Sequence, residues 1–366
     1  MRRSVVANEW IWMACVLPVV AFGAADRGLL LLGRHYQNVP KGYFISFRIA
    51  LWTLFLLLAG YWIVRKQFKF LTHWRSQACA WLAVGVLVLA CALWKQTHDP
   101  GNEKIFTSRN FYGVLTVYEH RRNEPLGHHF LLQHGRITHG LQFVDPGQAA
   151  WPTTYYGARS GVGLAVRALP QAPRRIGVVG LGTGTMAAFG RAGDYLRIYE
   201  INQEVQRLAS SPFTYLSNCP GKVEVALGDA RLSMEREPAQ QFDLLALDAF
   251  SSDAIPVHLL TREAFEVYTR HLKTNGVIAV HISNHYLNLE PVVVNLARHF
   301  SYKLAVIDYD EDEDEWWNYS STWILLTRSE ELINCQPIKS ASIAVKTNQV
   351  PLWTDDFASL FQILKK

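Results

Sequence analysis

The chain has 366 residues, 49 % of them hydrophobic and 18 % charged, with a formal net charge of +5; this is longer than a usual single domain of roughly 100–200 residues. The charge is uneven: residues 1–95 hold 11 Lys and Arg against 2 Asp and Glu, which leaves 25 basic and 29 acidic residues to the remainder. Basic charge confined to the flanks of apolar runs excludes a nucleic-acid patch and points to a membrane surface.

Three apolar runs come first, at 10–25, 44–64 and 78–94. A spanning helix needs about 20 mostly apolar residues. The second run is long enough if Arg48 snorkels, and the third is just long enough. The first is short unless it continues past Asp26 and Arg27. Glu9 precedes its core and two more runs follow, which argues against a cleaved signal peptide. Residues 1–98 therefore read as a multi-pass membrane segment with two or three transmembrane helices. Arg27, Arg34, Lys41 and Arg48 before the second run balance Arg65, Lys66, Lys69 and Arg75 after it, so the loops give no orientation.

From about Gly101 the pattern changes. Short β-like runs at 113–120, 128–135 and 137–143 suggest a small antiparallel β domain over 101–150, a lid or dimerisation element. Residues 155–169 read as a helix. The chain then alternates strands at 175–182, 195–202, 222–229, 242–250, 276–284, 302–308 and 321–328 with helices, notably 261–272 and 290–300. Near-continuous apolar strands suit a parallel sheet covered on both faces. The expectation for 151–366 is an α/β, Rossmann-like, doubly wound seven-stranded sheet that binds its ligand at the strands' carboxyl ends.

The residues at those ends carry the chemistry. The first strand runs into Gly180, Gly182 and Gly184, which let a backbone approach a ligand. The second ends at Glu200, about where a ribose hydroxyl pair is held. The third ends at Asp229, able to accept from an adenine amino group. Together these describe an adenosine pocket without a pyrophosphate. An S-adenosylmethionine-type ligand is favoured, and NAD stays open. The fourth strand ends in Asp248-Ala-Phe-Ser-Ser-Asp253. Two carboxylates on that loop can hold an ammonium group and accept its proton.

With these motifs the chain resembles the spermidine synthase family, the polyamine aminopropyltransferases, over about 106–364. It looks closest to a divergent branch fused to membrane helices. That branch carries stretches like Gln-His-Gly-Arg-Ile-Thr-His-Gly-Leu-Gln at 133–142, Thr-Tyr-Tyr-Gly at 154–157 and Trp-Thr-Asp-Asp at 353–356. The resemblance implies a class I methyltransferase-like fold with Gln142 and Tyr156 bordering the site. Glu200 would take the ribose and Asp229 the adenine. Asp248 would be base and amine anchor, and Asp253 a second amine contact. It implies aminopropyl transfer from decarboxylated S-adenosylmethionine to a diamine such as putrescine, with no metal or other cofactor, in a homodimer. A cytosolic donor would place the catalytic domain in the cytoplasm. Three positions depart from the family pattern. Thr183 stands where the glycine turn usually has Asp, the acids are spaced Asp-x4-Asp, and Gly157 replaces a His. A methyltransferase on the same fold and a non-catalytic membrane-tethered nucleoside or polyamine sensor remain alternatives.

Other signals weigh less. His134 and His139 are five apart, which on one strand gives opposite faces, and no acid or Cys completes a metal set. The 5 cysteines have no pairing pattern and read as packing residues. The run 308–315 holds seven acids and reads as a solvated loop, or as an acidic lip with Trp316 and Trp317 closing over a polyamine. The Trp-Thr-Asp-Asp segment reads as a turn that caps the last helix, or as one that brings Asp355 or Asp356 to the site.

Overall fold

The computed structural model describes residues 84–90, 102–135, 137–249, 256–346 and 350–365. The chain divides into two compact units, Met1–His98 and Asp99–Lys366. In the first, residues 84–90 are helical. The rest of the three expected spans lies outside the described residues. Among the described residues no helix is long and apolar enough to cross a membrane.

The second unit opens with an antiparallel sheet of four strands in sequence order: Asn102–Asn110 (β1), Gly113–His120 (β2), His129–His134 (β3) and Ile137–Phe143 (β4). Three were expected. β1 is a polar stretch without apolar alternation, and its backbone pairing with β2, from Asn102↔His120 to Asn110↔Gly113, is what makes it a strand.

The larger sheet holds Arg175–Val179 (β5), Tyr195–Glu200 (β6), Lys222–Leu227 (β7), Phe242–Leu247 (β8), Leu272–His281 (β9), Lys303–Tyr309 (β10), Ser321–Thr327 (β11) and Ser342–Ile343 (β12). Their order is β12-β10-β11-β9-β8-β5-β6-β7. The seven expected strands are joined by a two-residue eighth at the edge. β5 to β9 are mutually parallel, whereas β11 runs antiparallel to both β9 and β10, so the sheet is mixed.

The helices are Gly161–Ala168 (α1), Gln203–Ser210 (α2), Ala230–Arg236 (α3), Arg262–His271 (α4), Glu290–His299 (α5), Glu330–Asn334 (α6) and Gln336–Ala341 (α7). Strand pleating sends alternate residues to opposite faces. Val178, Leu244 and Ala246 pack on one face with Val162 and Leu164 of α1. Val179, Leu245 and Leu247 pack on the other with Phe265 of α4 and Val292 of α5. The helix expected from 155 begins only at 161. Ser160 caps it by accepting from the Gly163 N–H, which leaves Tyr155 and Tyr156 in a loop facing the sheet's end.

From β5 the chain crosses to β6 on one side, and β8 flanks β5 on the other. This is a topological switch point, where open α/β sheets leave a crevice for ligands.

Candidate functional site

Gly180 follows β5 and Asp248 follows β8, so both stand at the switch point. A Cβ on Gly180 would sit 2.3 Å from the Asp248 carbonyl oxygen. Gly180, Gly182 and Gly184 have φ of 98°, 54° and 87°, left-handed values that favour glycine. The turn leads into a five-residue 3-10 helix, Thr185–Phe189. Close backbone approach is what the turn offers a ligand.

Asp248 is the centre of the arrangement. Its side chain is 7 % exposed. The Tyr156 hydroxyl donates to Oδ2 at 2.5 Å, and His281 Nδ1 lies 2.6 Å from Oδ1. Tyr155 lies near enough to feel the Asp248 charge. Burial first, and then the Asp248 charge, raises both tyrosines well above the ordinary phenol range, so they remain donors. The His281 ring is stacked between Tyr155 at 4.6 Å and Trp323 at 4.7 Å. Its Nε2 lies 2.9 Å from Ser283 Oγ, which accepts from the Thr322 N–H at 2.8 Å. The sequence reading named neither His281 nor Ser283. The signal was available: His281 ends β9 as Glu200 ends β6, at the carboxyl edge of the sheet.

Glu200 is 8 % exposed. Its Oε2 accepts from the Leu181 N–H at 3.0 Å, and Oε1 from the Asn202 N–H at 2.7 Å. Burial raises its carboxyl above the ordinary range despite these donors. Each oxygen keeps a lone pair. Asp229 caps α3 through the Leu232 N–H at 2.9 Å, and its other oxygen lies 2.9 Å from His258 Nε2. Gln142 is 2 % exposed and wholly engaged with protein. It donates to Ala149 O and Thr214 Oγ1 and accepts from the Thr214 N–H. Its amide thus fixes the segment behind the glycine turn. Asp253 lies outside the described residues.

β4 presses on the same turn. A Cβ on Gly140 would meet Thr183 Oγ1 at 2.1 Å, and one on Gly182 would meet the His139 carbonyl at 2.7 Å. Thr183 is buried, with Oγ1 2.9 Å from Thr185 Oγ1. His134 and His139 do not alternate on one strand. They sit on β3 and β4 with rings 5.5 Å apart, because the hairpin at Gly135 intervenes. His139 feels the Asp248 charge, yet burial dominates and lowers its pKa to about 4. Its Nε2 is buried without a hydrogen-bond partner.

Two acids of the 308–315 run are tied to one arginine. Asp312 and Glu315 pair with Arg159 at 2.7 and 3.2 Å. Trp317 packs on Phe143 and Trp151, and Trp316 on Phe143 and His129. The tryptophans therefore cover the N-terminal sheet. Asp355 forms a two-pronged pair with Arg231, at 2.7 and 2.6 Å, and accepts from Thr261. It anchors the C-terminal segment to α3 and α4.

No protein-family model matches the chain. A polyamine aminopropyltransferase of Vibrio vulnificus is 26 % identical over 198 residues, covering 53 % of this chain and 64 % of that protein. The match thus spans less than two thirds of that relative's length. A probable spermidine synthase from Corynebacterium glutamicum superposes with a TM-score of 0.52 at 20 % identity, over 64 % of this chain and 85 % of that one, which establishes the fold. A Thermotoga maritima spermidine synthase aligns more loosely, with a TM-score of 0.43 and 12 % identity over 69 % of this chain and 81 % of its own. The chain is therefore similar in part of its sequence to a polyamine aminopropyltransferase and shares the fold of a probable spermidine synthase.

Proposed function

We propose that residues 151–366 form the catalytic domain of an aminopropyltransferase that uses decarboxylated S-adenosylmethionine and a diamine such as putrescine. The observation that carries this reading is Asp248, buried at the switch point and held by Tyr156 and His281 beside the glycine turn. Glu200 would hold the ribose through its remaining lone pairs. Asp229 would take the adenine amino group, sharing its outer oxygen with His258 or displacing it. Asp253 is proposed as a second amine contact.

The reaction needs one amine proton removed. Asp248 accepts it as the nitrogen attacks the carbon next to the sulfonium. The C–N bond forms, the C–S bond breaks with its electron pair going to sulfur, and methylthioadenosine leaves as a neutral thioether. Positioning and proton removal carry the catalysis.

We further propose that residues 1–98 anchor the protein in a membrane, with the catalytic domain on the cytoplasmic side and the chain as a homodimer. The apolar runs and the basic excess of the first 95 residues support the anchor; the cytosolic donor supports the sidedness, and the family resemblance supports the dimer.

The test is methylthioadenosine release by the full chain with putrescine and decarboxylated S-adenosylmethionine. Asp248→Asn is expected to lower kcat by about 10²–10⁴-fold, the range for general-base removal. Release from S-adenosylmethionine with methyl transfer would replace this reading with a methyltransferase. Binding of either nucleoside without turnover would replace it with a sensor.

A further inference from the structure

Asp248 is the end point of a run of donors that starts on the backbone. The Thr322 N–H donates to Ser283 Oγ at 2.8 Å. Ser283 Oγ lies 2.9 Å from His281 Nε2, and His281 Nδ1 lies 2.6 Å from Asp248 Oδ1. The Tyr156 hydroxyl approaches Oδ2 from the other side. An ionised carboxylate only accepts, so the proton between Asp248 and His281 belongs on Nδ1. In the Nδ1–H tautomer Nε2 is an acceptor, and the Ser283 hydroxyl 2.9 Å away is placed to donate to it. All the donors point the same way, and such chains polarise one another.

We propose that His281 and Ser283 are positioning residues for Asp248. Ser283 selects the Nδ1–H tautomer of His281, and that tautomer donates to Asp248 Oδ1 and aims the carboxylate's free lone pairs at the substrate ammonium. The opposite tautomer would bring a bare Nδ1 against Asp248. The carboxyl would then have to carry the proton, and a protonated Asp248 neither anchors a cation nor accepts a further proton. Stacking between Tyr155 and Trp323 prevents the ring from turning away. Ser283 also lines a cavity of about 970 Å³ with Asn288 and Asp308, so water can partly replace its hydroxyl.

The catalytic half of this inference rests on the aminopropyltransferase reading; the tautomer does not. In the full chain labelled with ¹⁵N-histidine, one of the 13 histidines should disappear in His281→Gln and thereby be assigned. Its spectrum at neutral pH should show a protonated Nδ1 and a bare Nε2, with a shift toward mixed tautomers in Ser283→Ala. A protonated Nε2 in the parent chain would overturn the proposal whether or not the chain turns over. In the methylthioadenosine assay, His281→Ala should lower kcat by roughly 10–100-fold, the scale of a lost hydrogen bond to a charged group, with little change in donor KM. His281→Gln, whose amide can donate to Asp248 and accept from Ser283, should recover most of that loss. Equal activity of His281→Ala and the parent would overturn the catalytic half. An inactive parent chain would count against the aminopropyltransferase reading and leave the tautomer result standing.

Discussion

At the residue scale the site is built by charge and burial. Tyr156 is 4 % exposed and its hydroxyl spends its proton on Asp248. A hydrogen bond to a charged group contributes about 1.5–3 kcal/mol. Tyr156→Phe is therefore expected to lower kcat/KM by roughly 10–100-fold in the methylthioadenosine assay while the chain stays folded. Its phenol lies well above the usual range, so the alkaline side of the parent's pH profile should not report Tyr156 ionisation. Glu200→Gln is a sharper test of the ribose role. The Gln amide would turn an N–H toward either the Leu181 or the Asn202 N–H, so donor KM should rise while the acceptor KM holds.

At the element scale β4 and the glycine turn behave as one piece. Gly140 has φ of 152° and no room for a Cβ against Thr183. Overpacking of this kind costs about 1–3 kcal/mol. Gly140→Ala is expected to lower the urea midpoint, and Thr183→Ala should restore part of it, as a double-mutant cycle would show. The same sheet carries a pH dependence. Burial lowers His129 and His139 to about 4 each, whereas an unfolded histidine titrates near 6.5. Their contribution is present above pH 6.5 and is lost as pH falls toward 4, on the order of 2–3 kcal/mol per histidine. Denaturant curves at pH 7 and 4.5 should show that loss. His129→Gln with His139→Gln should flatten it.

At the scale of the whole molecule the two ends of the large sheet have separate tasks. Opposite the site, just before β5 and β6, Arg174 and Asp194 are 1 % and 2 % exposed. Burial alone would raise the Asp194 carboxyl, and Arg174 with two backbone N–H donors more than reverses this, so it lies below its ordinary value. Removing one partner of a buried pair costs about 3–5 kcal/mol. Asp194→Asn is expected to lower the unfolding midpoint markedly while KM for both substrates stays unchanged at a temperature where the variant is folded. A changed KM would mean that the two ends are coupled.

Much of this was legible before any coordinates. Apolar runs of strand length put Gly180, Glu200, Asp229 and Asp248 at or just past strand ends, where the structure has them, because hydrophobic periodicity is written locally. Where the helix after 155 begins was not, since a single Ser160 cap decided it against an apolar pattern. β1 was invisible because its pairing partner, and not its own residues, makes it a strand. His281 and Ser283 reached Asp248 only through the order β9-β8, and the meeting of β4 with the glycine turn only through the packing of one sheet on another. Sequence determined which residues could do the chemistry, by type and by position on each strand. The tertiary structure decided which of them share a hydrogen bond, because that depends on which strands lie side by side.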